Sequence, residues 1–187
     1  GMLFHHLSDR RRGVDVEQIV LTLREPLDLD RFRMAWEQVA RRHGTLRLAI
    51  QWWDTPRPVQ WIRPETRVDM VVEDWRHRSP EGREADLAAF LGADRTRGVD
   101  LATPPLWRVR LFRFGSRDHR CVWTFHHVLM DGRSFPLVLS DLFHVYEAHL
   151  EGAPQELPPA PSYRAHLDWL GGRGREGERA FRGRYLA

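Results

Sequence analysis

Residues 107–126 restrict the fold of this chain more than any other stretch of its sequence. In the first half, tryptophan, valine and leucine alternate with arginine, which is typical of a half-buried β-strand. A turn at Gly115 to Asp118 separates this run from a second one that ends at His126, so the two runs predict a β-hairpin. The apolar spacing of residues 135–150 then predicts an amphipathic helix, with a proline tolerated in its first turn.

The rest of the chain contains further elements of the same two kinds. A helix capped by Asp28 is predicted to end before Gly44, because apolar residues recur at intervals of three and four between them. Residues 84–95 predict a second amphipathic helix with Ala88 on its apolar face. Short β-rich runs, punctuated by prolines, predict four more strands, at residues 18–23, 46–53, 59–62 and 68–72. Together they predict an α/β fold of the α+β type, a two-layer sandwich in which helices cover a mixed, mostly antiparallel sheet.

Length and composition allow one compact domain. The chain has 187 residues, of which 42% are apolar, enough for a single core. Cys121 is the single cysteine, so no intrachain disulfide can form. No apolar run approaches the roughly 18 residues that a bilayer span requires, and no secretory signal is visible. We therefore expect a cytoplasmic protein with no membrane partner.

The basic residues favour a mixed surface over a nucleic-acid interface. The net charge is +3, but acidic residues are interspersed throughout. A cluster such as Arg10 to Arg12 is more often a solvated loop than a binding site. All 29 basic residues are arginines, and the lack of a lysine amine excludes P-loop phosphate chemistry and Schiff-base chemistry.

Residues 126–132, HHVLMDG, form the motif HHxxxDG between a predicted strand and a predicted helix. Adjacent residues at a strand end point to opposite sides, so only one of the two histidines can face a given cavity. An imidazole can accept a proton from an attacking amine or hydroxyl at physiological pH, which is the task of a general base. Asp131 would then orient the site, and Gly132 would let backbone or substrate approach closely.

Other interpretations of these residues compete with general-base catalysis. The two histidines and Asp131 could bind zinc, but a catalytic zinc site normally needs three well-aimed ligands, and the chain has neither HExxH nor CxxC. Histidines at a strand end can also be packed core residues without chemistry. Cys121 could be a nucleophile, although its place in an apolar alternation favours a small core residue.

Residues 126–134, HHVLMDGRS, resemble the signature of the condensation-domain superfamily, which shares the chloramphenicol acetyltransferase fold. Residues 40–50, ARRHGTLRLAI, are similar to the family segment RHxxLRTxF. They depart from it at Leu48, where threonine is usual, and at Ile50, where phenylalanine is usual. The branch that this chain resembles is the condensation domain of nonribosomal peptide synthetases.

Two further segments extend the resemblance over essentially the whole chain. GMLFHHL at residues 1–7 resembles the first family motif, in the form found in domains that accept a donor peptide ending in a D-residue. Residues 162–170 resemble the motif of aromatic and Asp-Trp character that follows the active-site helix. The resemblance implies that residues 1–170 form the N-terminal lobe, a half-domain. Residues 171–187 would be a linker and the start of the helix leading to a C-terminal lobe absent from this chain.

The resemblance implies a reaction between two tethered substrates. Peptidyl and aminoacyl carrier domains would bring them as phosphopantetheine thioesters to a tunnel between the two lobes, and an adenylation domain would belong to the same assembly line. The acceptor amine would attack the donor thioester to form an amide. No cofactor or metal would bind to the chain itself, and nucleic acid would not be a partner.

The resemblance also assigns roles to the motif. His127 would face the tunnel and either take the amine proton or hold the amine and stabilise the tetrahedral intermediate, while His126 would be structural.

The other motif residues would support the loop and the passage of substrate. Asp131 would form an ion pair with Arg47 that keeps the loop in shape. Gly132 would line the passage for the thioester, together with Ser134.

Two other functions are compatible with these sequence features. A stand-alone acyltransferase that uses acyl-CoA carries the same motif. The chain could also be a non-catalytic interaction module. Because a tunnel between lobes needs both lobes, we expect the isolated chain to be inactive.

Overall fold

The computed structural model of the chain describes residues 13–153 and 157–172. Within these ranges the strands are β1 (Val16–Leu23), β2 (Leu48–Gln51), β3 (Val59–Ile62), β4 (Met70–Asp74), β5 (Trp107–Arg113) and β6 (His119–His126). The helices are α1 (Leu29–Arg42), α2 (Pro80–Arg97), α3 (Phe135–Leu150) and α4 (Tyr163–Gly172), and a short 3₁₀ helix (Gly44–Arg47) follows α1.

The described part of the main sheet has four strands in the order β1-β6-β5-β4. β6 pairs antiparallel with both β1 and β5, whereas β4 pairs parallel with β5. β2 and β3 form a separate antiparallel pair. The predicted mixed, mostly antiparallel sheet is therefore confirmed, and β1 is one of its edge strands.

The alternation in the hairpin places the larger core on one face of the sheet. Trp107 and Trp123 lie on this face, and the ring of Trp36 from α1 packs between them at centroid distances of 5.4 and 5.2 Å. Such aromatic contacts add to the free energy gained by burying apolar area. Helix α3 covers the same face through an apolar stripe that includes Val138 and Leu142.

Helix α2 lies against the opposite face of the sheet, so helices cover both faces and the fold has three layers instead of the predicted two. Leu87 of α2 packs in a smaller cluster that includes Phe112 and Val122. Ala88, predicted on the apolar face of this helix, is exposed, and Asp94 is buried instead. The helix also begins earlier than predicted, because Ser79 caps it and accepts a hydrogen bond from the backbone N–H of Gly82.

The ends of α1 follow from its sequence. The Asp28 side chain accepts a hydrogen bond from the backbone N–H of Arg31, as an N-cap does. The N–H of Asp28 donates to the hydroxyl of Tyr146, which ties the start of α1 to α3. The helix ends at Arg42, and the 3₁₀ helix that begins at Gly44 delays β2 to Leu48, two residues later than predicted.

The described residues fall into two compact units, one ending at Leu157 and the other beginning at Pro158. Helix α4, in the second unit, extends through Gly172, two residues beyond the predicted helix. The rest of the predicted linker, the GMLFHHL segment and the cluster at Arg10 to Arg12 lie outside the described residues. No helix within the described ranges is long and apolar enough to cross a bilayer.

Candidate active site

The HHxxxDG motif begins where the pairing of β1 with β6 ends. Val16 is the partner of His126 at the last position of the ladder. The backbone N–H of His127 then donates to the carbonyl oxygen of Asp15 at 2.8 Å, so the pairing continues one residue beyond β6. The edge strand therefore sets the position of the His127 backbone.

The two histidines have different surroundings. The residue His126 is 1% exposed, and its Nδ1 accepts a hydrogen bond from the backbone N–H of Val128 at 3.0 Å. The His127 side chain is 35% exposed, and its Nδ1 lies 3.9 Å from Oε1 of Glu17. Because that Nδ1 is buried, the exposed surface of the side chain lies on its other atoms. His127 is thus the histidine that can meet a substrate.

Hydrogen bonds hold the loop after His127. The Thr45 hydroxyl donates to the carbonyl oxygen of Leu129, whose side chain is buried in the core. The carboxylate of Asp131 accepts from the hydroxyl of Ser134 at 2.7 Å and from the backbone N–H groups of Ser134 and Arg133. The hydrogen bonds from the Ser134 hydroxyl and the Arg133 N–H lower the pKa of Asp131. Asp131 therefore shapes the turn that leads into α3.

The predicted ion pair between Arg47 and Asp131 is wrong. The Arg47 guanidinium donates to backbone carbonyls, those of Ala40, Arg41, Arg63 and Pro64. The last turn of a helix leaves carbonyl groups without an intrahelical partner, and Arg47 is close enough in sequence to reach those of α1. Asp131 meanwhile accepts hydrogen bonds at Oδ1 from Arg133 and Ser134, within its own turn. Arg47 thus joins the end of α1 to the segment after β3.

Gly132 and Ser134 were predicted to line the passage of substrate, and that role stays a prediction. A Cβ built at Gly132 would meet no described atom within 4 Å, so packing within the described chain does not require glycine there. The hydroxyl of Ser134 donates to Asp131.

Cys121 has no nucleophilic character in this fold. Its side chain is fully buried in β6, and burial raises the pKa of the thiol to about 12. The predicted core position is confirmed. Likewise, the residues in the described ranges contain no group of three or more histidine, cysteine or acidic side chains that could hold a metal ion.

Local sequence patterns do not indicate three residues that contact the site: Asp15, Glu17 and Thr45. A strand-pairing hypothesis would have found the first two, because the register that pairs Val16 with His126 also places them beside His127. The family segment that contains His43 also contacts α3, the helix that follows the motif loop. Nε2 of His43 lies 2.6 Å from the carboxylate of Asp141 in α3, which also accepts a hydrogen bond from Arg42.

A buried polar cluster occupies the other face of the same strand. We call it the Asp94 cluster, and it consists of Gln18, Asp94, Arg108 and Thr124. The carboxylate of Asp94 accepts hydrogen bonds from Arg108 and Thr124 at 2.7 Å each, and from Gln18 at 3.0 Å. Burial alone would raise the pKa of Asp94, but these hydrogen bonds outweigh it and lower the pKa. Arg108 also donates to the carbonyl oxygen of Gly98.

Comparison with known proteins identifies the family to which this fold and motif belong. The model of the Condensation domain family matches residues 1–182. A linear gramicidin synthase of Brevibacillus parabrevis is 38% identical over 181 residues, which are 97% of this chain and 4% of that protein. Bacitracin synthase 3 of Bacillus licheniformis is 32% identical over 100% of this chain and 3% of that protein. The chain therefore belongs to the condensation-domain family of nonribosomal peptide synthetases.

Solved structures confirm the predicted fold. The starter condensation domain of rhizomide synthetase superposes with a TM-score of 0.81 at 24% identity, covering 98% of this chain and 45% of that one. The first condensation domain of the calcium-dependent antibiotic synthetase gives a TM-score of 0.78 at 22% identity, covering 97% of this chain and 41% of that one. The chain thus spans less than half the length of these structures and a few per cent of the relatives matched by sequence.

Proposed function

We propose that this chain is the N-terminal lobe of a domain that forms an amide bond, with His127 as the general base. One observation supports this above the others: on a loop directly after the sheet, the imidazole of His127 is partly exposed while its neighbour His126 is buried. A partly exposed imidazole can act as a general base toward an amine bound beside it.

The proposed reaction joins an acceptor amine to a donor thioester. His127 takes a proton from the amine as its nitrogen attacks the thioester carbonyl carbon. The new carbon–nitrogen bond forms, the carbon–sulfur bond breaks, and the thiolate leaves with the proton that His127 has taken. The loop hydrogen bonds of Thr45 and Asp131 would keep the ring in place during these steps.

The substrates and partners follow from the family. Both substrates would be carried on phosphopantetheine arms of carrier domains, and an adenylation domain in the same assembly line would activate the amino acid. The chain covers 45% of a solved condensation domain, which supports a second lobe as the partner that completes the site. We therefore expect the isolated chain to be inactive.

The test is His127→Ala in a complete condensation domain that contains this chain, assayed with loaded donor and acceptor carriers. Loss of a general base should lower condensation by about 100-fold to 10,000-fold. His144→Ala is the matched control, because His144 is an exposed histidine of α3 and should leave the rate unchanged. Near-normal product from the His127 variant would contradict the proposal. Turnover of a free CoA thioester without carriers would instead favour a stand-alone acyltransferase.

A further inference from the structure

We infer that Glu17 is a positioning residue that determines which ring nitrogen of His127 carries the proton. This inference rests on the proposed function of His127 as a base. It concerns a residue outside the HHxxxDG motif, on the edge strand that pairs with β6.

Strand pairing places Glu17 on the same side of the sheet as His127. Glu17 is the partner of Phe125 in the antiparallel register, and His127 lies two residues further along the same face. Diagonal neighbours on paired strands are within reach of long side chains. The hydrogen bond from the His127 N–H to the Asp15 carbonyl keeps this register up to the site.

One ring nitrogen of His127, on the side of Glu17, has no hydrogen-bond partner among the described residues. This atom, Nδ1, is buried, and Oε1 of Glu17 lies 3.9 Å away. A buried polar atom without a partner costs free energy, so a nearby carboxylate is a favourable acceptor. The Glu17 side chain is 51% exposed and can rotate towards the ring. Hydrogen bonds within active sites are often long without substrate and shorten when it binds.

A carboxylate at this position favours the tautomer that a base requires. Carboxylates only accept hydrogen bonds, so Glu17 stabilises the form in which Nδ1 carries the hydrogen. Nε2 is then left with a free lone pair on the side of the ring away from Glu17. When Nε2 takes the amine proton, the ring becomes a cation, and the negative charge of Glu17 stabilises it.

Asp15, which directly precedes β1, provides a matched control. Its backbone pairs with that of His127, so its side chain lies on the same face, yet its carboxylate forms no ion pair with His127 within 4.0 Å. Glu17 and Asp15 both place a carboxylate near His127, but of the two only Glu17 has an oxygen within 4.0 Å of the ring nitrogen.

The first experiment measures the tautomer directly. Nitrogen chemical shifts of the histidine rings in the full 187-residue chain report which nitrogen is protonated, and His127→Ala assigns the signal. We expect neutral His127 to carry its hydrogen on Nδ1, and Glu17→Ala to decrease that share, whereas Asp15→Ala should leave it unchanged. An unchanged tautomer in Glu17→Ala, or an equal change in Asp15→Ala, would overturn the inference.

The second experiment measures turnover in the complete condensation domain. Glu17→Ala should lower kcat by about 10-fold to 100-fold, the range measured for carboxylates that orient metal-binding histidines. The apparent KM for the loaded carriers should change little, because a residue that acts through His127 affects the reaction step more than binding. Glu17→Gln keeps the size of the side chain and should give a smaller decrease. If kcat is unchanged in Glu17→Ala while His127→Ala is inactive, the role of Glu17 is refuted and the proposed function of His127 stands. An active His127→Ala would refute the proposed function instead.

Discussion

Strand β6 contributes to two polar sites that differ in how fully their atoms are paired. Thr124 belongs to the Asp94 cluster, in which the buried carboxylate has three hydrogen-bond donors around it. His127 lies three residues further on, with a buried ring nitrogen that has no described hydrogen-bond partner. A fully paired buried cluster stabilises one structure, whereas a polar group with unmet capacity can still bind or react.

The alternation of the strand separates these two sites. Thr124 points towards α2 together with Val122, whereas Trp123 and Phe125 point into the core under α1 and α3. His127 follows on the second side. β6 thus anchors α2 through Thr124 on one face of the sheet, and the residue directly after it, His127, presents a reactive side chain on the other face.

The largest expected effect comes from breaking the Asp94 cluster. Asp94→Ala leaves the Arg108 guanidinium buried without its carboxylate, which should lower the free energy of unfolding by about 3–5 kcal/mol. Asp86→Ala is the control on the same helix, because Asp86 pairs with Arg78 at an exposed position and should cost less than about 1 kcal/mol. Urea unfolding of the three proteins measures both values. Equal losses in the two variants would mean that the cluster is no more important than a surface ion pair.

Acidification should weaken the same cluster. Burial raises the pKa of Asp94, but hydrogen bonds led by that of Arg108 lower it more, so the folded-state pKa lies below that of the unfolded chain. The cluster therefore stabilises the fold at neutral pH. That contribution decreases as the pH falls below the unfolded value of about 3.9 and through the folded value. The difference in unfolding free energy between the wild type and Asp94→Asn should shrink over this window. A difference that does not depend on pH would contradict the lowered pKa.

A smaller effect is expected at the loop of His127. Thr45→Val removes the hydroxyl that donates to the carbonyl oxygen of Leu129 and should lower the free energy of unfolding by about 1 kcal/mol. The rate of condensation in the complete domain should fall as well, because the loop then positions His127 less well. Thr96→Val is the control, since its hydroxyl bonds only within the exposed surface of α2. Equal rates of condensation in the two variants would show that the hydrogen bond of Thr45 does not affect catalysis.

Strong periodicity made much of the fold predictable. The hairpin of β5 and β6 and the bounds of α3 agree with the sequence patterns, because their apolar residues recur at clear intervals. Helix α2 agrees less well. Its buried face includes Asp94, and a search for apolar spacing cannot identify a charged residue whose partners are distant in sequence.

Only the residues of the candidate site that are adjacent in sequence could be predicted. The motif indicated His127, but Glu17 and Thr45 are separated from the loop by more than 80 residues, and only the folded chain brings them there. The error at Arg47 has a related cause. A family resemblance indicates which residues are present, but the hydrogen bonds of Arg47 depend on where α1 ends in this chain.

The hydrogen bond from His127 to Asp15 has a consequence for partly opened forms of the protein. Among the described strands, β1 has a neighbour on one side only, and strands at the edge of a sheet open more easily than interior ones. When the start of β1 detaches, His127 loses the backbone hydrogen bond to Asp15 that fixes its position, although the tryptophans of the core stay packed. Amide hydrogen exchange at the start of β1 would therefore measure a free energy of opening well below that of global unfolding. This opening is the one that disrupts the site.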